Sequence, residues 1–167
     1  MSVSPMILTT SLADVTLREL TPLDAPRLFQ LVQANKAHLT SHGDYAVQVA
    51  ARVEDIAREL ALEPQRHRRF GVLSGDEFVG RVDLLGVEPP RYGLGYWLAA
   101  SHTGRGIATA AVQRVVDFAF AQCRATDIFA GVTHGNERSV RLLHRLDFLP
   151  IERFETYTRF HRGRPVS

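Results

Sequence analysis

Hydrophobic positions in this chain recur with two periods, and the switches between them mark its elements. Val15 to Leu20 alternates as a half-buried strand does, because successive side chains of an extended backbone point to opposite faces. Thr21-Pro22-Leu23-Asp24 then has the form of a helix start, with proline at the first helical position, where an N–H would have no partner anyway. Leu28, Leu31 and Val32 give that helix its apolar stripe. The stretch from Lys36 to Tyr45 is polar and turn-like. Val49, Val53, Ile56 and Leu60 return at helical spacing and predict a second helix, which Pro64 ends.

Two short apolar runs follow, Phe70 to Leu73 and Phe78 to Val87, around Ser74-Gly75-Asp76-Glu77. This is a hairpin signal, since a tight turn needs residues that tolerate unusual backbone angles. Pro89-Pro90 breaks the second run, and Tyr92 to Ala99 predicts a fourth strand. The helix expected from about Arg105 to Cys123 is apolar at Ile107, Ala111, Val115 and Phe118 and again at Val112, Val116 and Phe120. Only a narrow polar stripe of Arg114, Asp117 and Gln122 remains, so this helix packs deeply. Asp127 to Val132 predicts a strand, Asn136 to Leu146 a helix, and Phe148 to Phe160 one or two more strands. The order β-α-α-β-β-β-α-β-α-β(-β) describes an α/β protein with a mixed sheet.

Composition narrows the class. With no repeat, no low-complexity tract and no linker, the 167 residues are expected to form one domain, 1–167, large enough to bury a sizeable core. No apolar run is long enough to cross a membrane, and Met1 to Thr10 lacks the basic start and small-residue cleavage site of a secretory signal. A cytoplasmic location is the expectation. Cys123 is the sole cysteine, which excludes an internal disulfide, and its helical setting suits a structural thiol better than a nucleophile. Of the 20 basic residues only Lys36 is lysine, so the chain is rich in fork-shaped donors that match phosphate oxygens. Arg66-His67-Arg68-Arg69 is one such cluster, read as a solvated face. Neither a nucleic-acid-binding motif nor a metal-ligand spacing of Cys and His is present, so neither a nucleic-acid partner nor a bound metal is expected.

Two segments carry chemistry. Gly95 to Thr109 reads as a strand, a turn with Gly104 and Gly106, and the opening of the long helix. A helix start has unsatisfied N–H groups and a partial positive charge, and glycines before it let a ligand approach the backbone, a combination suited to phosphate or pyrophosphate. In the second segment, His134-Gly135-Asn136-Glu137-Arg138-Ser139-Val140, Asn136 stands at a helix N-cap and Ser139 faces the same way three residues on. Asn136 either only caps the helix or also hydrogen-bonds a ligand amide, with the Ser139 hydroxyl near a reacting atom. Two helix starts would then converge on one ligand.

With these residues in place the chain resembles the GNAT superfamily of acetyl-CoA-dependent N-acetyltransferases, most of all the branch of ribosomal-protein N-terminal acetyltransferases. The resemblance runs through Gly95-Tyr96-Trp97-Leu98, Thr103 to Thr109, Asn136 to Val140 and Leu146-Asp147-Phe148, and the element order agrees from about Val15 to Phe160. It implies a single α/β (α+β) domain with a mixed, mostly antiparallel sheet of six to seven strands and helices on both faces. It implies acetyl-CoA as co-substrate, with its pyrophosphate on the backbone of Gly104, Arg105, Gly106, Ile107, Ala108 and Thr109. Pantetheine would pair with Leu98 and meet Asn136, and Arg105, Arg141 and Arg145 would lie near the phosphates. Four positions depart from the family pattern: Thr103 replaces a Gln or Arg, Asp147 a glycine, Gly93 a glutamate, and Leu143 the tyrosine that protonates the departing thiolate. Ser139 is therefore the expected proton donor.

Direct attack by an amine requires a neutral nitrogen, so a base must take its proton. Asp83, His134 and Glu155 are the candidates, and the N–H of Leu98 or Ala99 the candidate donor to the developing oxyanion. The loop from Lys36 to Tyr45 would cover the acceptor, which gives His38, Asp44 and Tyr45 a part in substrate choice. The expected acceptor is a small-molecule amine or a peptide N-terminus, and exposed strand edges allow a homodimer. Two other readings compete: a non-catalytic acyl-CoA-binding module, and a dinucleotide-binding oxidoreductase. Against the latter, Thr109 stands where a third glycine belongs, and Asp127 precedes its strand where a ribose-binding acid should follow one.

Overall fold

The computed structural model describes residues 4–166; Met1 to Val3, part of the N-terminal stretch read above, lie outside them. Eight strands form one sheet: β1 (Ile7–Thr9), β2 (Val15–Glu19), β3 (His67–Ser74), β4 (Glu77–Glu88), β5 (Arg91–Leu98), β6 (Asp127–Thr133), β7 (Leu149–Arg153) and β8 (Tyr157–Gly163). Their order across the sheet is β1-β2-β3-β4-β5-β6-β8-β7, and every neighbouring pair is antiparallel except β5 with β6. The strand count exceeds the expected six to seven. The additional strand, β1, is three residues long and buries only Leu8, too short to show a period.

Helices cover both faces. On one lie α5 (Ile107–Ala121) and α6 (Glu137–Arg145), whose Val112, Val115, Val116 and Leu143 pack with Leu17, Phe70, Leu84, Ile128 and Phe160 of the strands. Phe70 meets Phe118 edge to face, with ring centroids 5.6 Å apart. The other face carries α1 (Ala25–Ala34), α2 (Lys36–Leu39), α3 (Ala46–Ala50) and α4 (Val53–Ala61). There Leu28, Ile56 and Leu60 close over Leu20 and Phe78, with Trp97 at the border.

The expected second helix is two. Ala51 and Arg52 are extended, and the Arg52 N–H donates to the Asp55 carboxylate at 3.0 Å, which starts α4 afresh. The polar stretch before it contains the short helix α2. The long helix begins at Ile107 and not at Arg105, because Gly104 and Gly106 both take the left-handed conformation, with φ of 78° and 77°. No helix among the described residues is long and apolar enough to cross a membrane.

Candidate active site

A parallel pair in a mostly antiparallel sheet is where this fold opens. β5 and β6 pair only between Arg91–Gly93 and Asp127–Phe129, after which the two strands diverge. The Ala99 N–H donates to Val79 O at 2.7 Å, so odd positions of β5 turn their backbone toward β4. Tyr96 and Leu98 therefore turn theirs into the gap. A cleft of about 870 Å³ fills it, with the starts of α5 and α6 on one side and the α2–α3 segment on the other.

The α5 side is made of backbone. Gly106 caps α5 with no side-chain acceptor, and the helix ladder opens with the Ala110 N–H donating to Gly106 O at 3.0 Å. The N–H groups of Ile107, Ala108 and Thr109 are thus the orphan donors of a helix start, and all three residues line the cleft. A Cβ built on Gly104 or Gly106 meets nothing within 4 Å, so the turn faces open space. Arg105, between them, is exposed and does not line the cleft, whereas Arg141 and Arg145 of α6 do.

The α6 side presents side chains. Asn136 Oδ1 accepts the Ser139 N–H at 3.2 Å, which is the capping role, and Asn136 also lines the cleft. Ser139 lines it as well, and its hydroxyl is in close hydrogen-bond contact with the phenol of Tyr96. Leu143 is fully buried in the core, so α6 offers no phenol there. Asp147 takes φ of 65°, the left-handed conformation, which Asp tolerates and which fits the glycine that the resemblance expects there.

The third side comes from the polar stretch. His38 Nε2 lies 3.1 Å from Leu98 O, and the Tyr45 hydroxyl donates to Tyr96 O at 2.9 Å. Asp44 accepts from Thr133 Oγ1 of β6 at 2.9 Å. Three contacts, from His38, Asp44 and Tyr45, thus clamp this segment across the mouth between β5 and β6. Tyr45 holds φ of 64°, uncommon for a bulky side chain, and burial followed by the charge of Asp44 pushes its hydroxyl well above the usual phenol range. Burial also drives the Tyr96 phenol up to about 12, against the opposing pull of its bond to Ser139.

The candidate bases separate. His134 Nε2 is engaged with Phe154 O at 2.9 Å, and His134 is not among the lining residues. Glu155 is exposed in the β7–β8 turn. Asp83 sits on β4 opposite Gly95 of β5, paired with Arg81 at 2.8 Å, and desolvation raises its carboxyl above the ordinary range although Arg81 works against this. It too is not a lining residue, but it lies near enough to Tyr45 to bear on that hydroxyl. In the sequence Tyr96 belongs to the Gly95-Tyr96-Trp97-Leu98 motif without a role of its own. The alternation of Tyr92–Ala99 already puts it on the side of Leu94 and Leu98, away from Trp97, but nothing local shows that Ser139 waits there.

Comparison with known proteins agrees with this geometry. The acetyltransferase (GNAT) domain family matches residues 14–149. YdaF of Bacillus subtilis, provisionally named a ribosomal N-acetyltransferase, is 28% identical over 145 residues, covering 81% of this chain and 78% of that protein. A RimL ribosomal L7/L12 alpha-N-protein acetyltransferase, solved with coenzyme A, superimposes with a TM-score of 0.84 at 20% identity over 95% of this chain and 98% of that one. The spermidine N-acetyltransferase of Vibrio cholerae, solved with CoA and spermine, does so with a TM-score of 0.76 at 18% identity over 92% and 97%.

Proposed function

Since the chain belongs to the GNAT acetyltransferase family, we propose that its cleft binds acetyl-CoA and passes the acetyl group directly to a primary amine, either a small molecule or a peptide N-terminus. The observation that carries this reading is the divergence of β5 from β6 beside an uncapped helix start. The gap leaves the Tyr96 and Leu98 N–H groups facing an extended ligand, beside carbonyls held by Tyr45 and His38, and the α5 N–H groups stand ready for its pyrophosphate. A Rossmann-type reading has no such gap to explain, and a purely binding module needs no hydroxyl pair at the far end.

Acetyl-CoA supplies an activated acyl carbonyl and a thiolate that can leave. The chain supplies the rest. Leu98 N–H is the donor for charge developing on the acyl oxygen, because the alternative, Ala99 N–H, is held by Val79 O. Asp83 is the favoured base, as burial makes its carboxylate a better proton acceptor than an exposed one, and Gly95 leaves the face opposite it without a side chain. Ser139 gives its proton to the departing sulfur and recovers one from solvent. His38, Asp44 and Tyr45 border the acceptor. The names of the relatives favour two acceptors to try: a peptide with a free N-terminus, and spermidine.

Calorimetric titration with acetyl-CoA, with NAD as control, tests the first half. Saturable binding of acetyl-CoA alone is expected; binding of neither by folded protein overturns the assignment. Turnover of the two acceptors, followed as thiol release, tests the second half.

A further inference from the structure

The contact between Tyr96 and Ser139 has no packing purpose that phenylalanine and alanine would not serve. Tyr96 belongs to β5 and Ser139 to the first turn of α6, and their hydroxyls meet inside the cleft where both residues line it. Serine carries one hydrogen and two lone pairs. If that hydrogen points at Tyr96, it is lost to anything else in the cleft; if the phenol donates, the serine hydrogen is left to point at a ligand. We propose that Tyr96 is a positioning residue for Ser139: its phenol donates to Ser139 Oγ and so turns the serine hydrogen toward the sulfur of the bound thioester.

Three observations support this direction. A phenol is the more acidic of the two hydroxyls and the better donor. The phenol is also fixed, since the Tyr96 backbone is anchored through its carbonyl to the Tyr45 hydroxyl, and its ring packs against the α5-side core. Finally, burial drives the Tyr96 phenol up to about 12, so it carries its proton at neutral pH and is present as a donor to Ser139. Its part is to polarise and aim, which strengthens the serine as donor through a chain of two bonds. Proton balance is unchanged: the C–S electron pair goes to sulfur, the proton comes from Ser139, and Ser139 is refilled from solvent.

This inference rests on Ser139 being the donor, and the experiment separates the two. Steady-state kinetics and calorimetry are compared for wild type, Ser139→Ala, Tyr96→Phe and the double variant. Expected are a loss of about a hundredfold in kcat for Ser139→Ala and about tenfold for Tyr96→Phe. The double variant should be no worse than Ser139→Ala alone, and acetyl-CoA affinity should be unchanged throughout. Unchanged kcat in Ser139→Ala defeats the donor assignment itself. With Ser139→Ala impaired, three results overturn the inference: Tyr96→Phe at wild-type kcat, losses that multiply in the double variant, or a loss in Tyr96→Phe as large as in Ser139→Ala.

Discussion

The wall that opens α5 and the wall formed by Lys36 to Tyr45 face one cleft and are built by opposite means. At α5 the recognition groups are backbone N–H atoms, and the side chains are chosen for what they leave out: Gly104 and Gly106 sit at φ near +78° with open space before them. Across the cleft the groups are side chains, and the backbone is bent to deliver them, most visibly at Tyr45 with its φ of 64°. A backbone wall offers the same donors whatever sequence it carries, so it suits a ligand that never changes. A side-chain wall alters its chemistry with each substitution, so it suits the partner that varies among related enzymes. On the reading proposed above, the co-substrate belongs to the first and the acceptor to the second.

The most damaging way to break this contrast is Gly106→Val. A β-branched residue at a left-handed position costs about 1–3 kcal/mol of strain, and its side chain fills the space before the orphan N–H groups. Acetyl-CoA affinity should fall about a hundredfold or more by calorimetry. Gly75→Val is the control, because Gly75 has φ of 60° at the β3–β4 turn with the same open surroundings. It should lower thermal stability comparably and leave affinity untouched. Equal losses of affinity in both variants would mean that strain, and not the approach of a ligand, sets the need for glycine.

Next in size is Asp83→Asn, expected to lower kcat by about a hundredfold with acetyl-CoA affinity intact. The pH profile sharpens it. Burial raises the Asp83 carboxyl, so the base form disappears as pH falls through a value above the ordinary carboxylate range, and kcat should fall with it. The same shift taken alone favours folding below the unfolded-chain value of ~3.9 and loses that contribution as pH rises through the folded value. A kcat profile in Asp83→Asn that keeps both the height and the acid limb of wild type would assign the base elsewhere.

The difference between the walls also explains what could be read in the sequence. Glycine spacing, a helix period in Ile107–Ala121 and an N-cap at Asn136 are local facts, and the wall formed by the starts of α5 and α6 is assembled from them. The family resemblance then extended them to the whole fold. Splitting of the second helix was not legible, because the apolar spacing of Val49, Val53, Ile56 and Leu60 stays in phase across the extended Ala51–Arg52 link. Nor was Tyr96 against Ser139, two residues 43 positions apart brought together only by the divergence of β5 from β6. His38 and Tyr45 were singled out from the polar stretch, but their targets, the carbonyls of Leu98 and Tyr96, depend on which side of β5 faces the gap.

The smallest expected effect is the most selective. Tyr45→Phe removes one hydroxyl whose bond to Tyr96 O is worth about 1 kcal/mol, roughly a fivefold change in an equilibrium. If the polar segment is the acceptor wall, loosening its clamp should raise the KM for the amine by about that factor and leave the acetyl-CoA dissociation constant where it was. Asp44→Asn makes a useful companion, since its carboxylate is held by Thr133 of β6 and would attract a cationic acceptor before its proton is removed. The two variants should act on the same parameter, with Asp44→Asn losing more for spermidine than for a peptide carrying a single N-terminal charge. A change in acetyl-CoA affinity, with the amine KM constant, would place the polar segment on the co-substrate side and erase the division between the two walls.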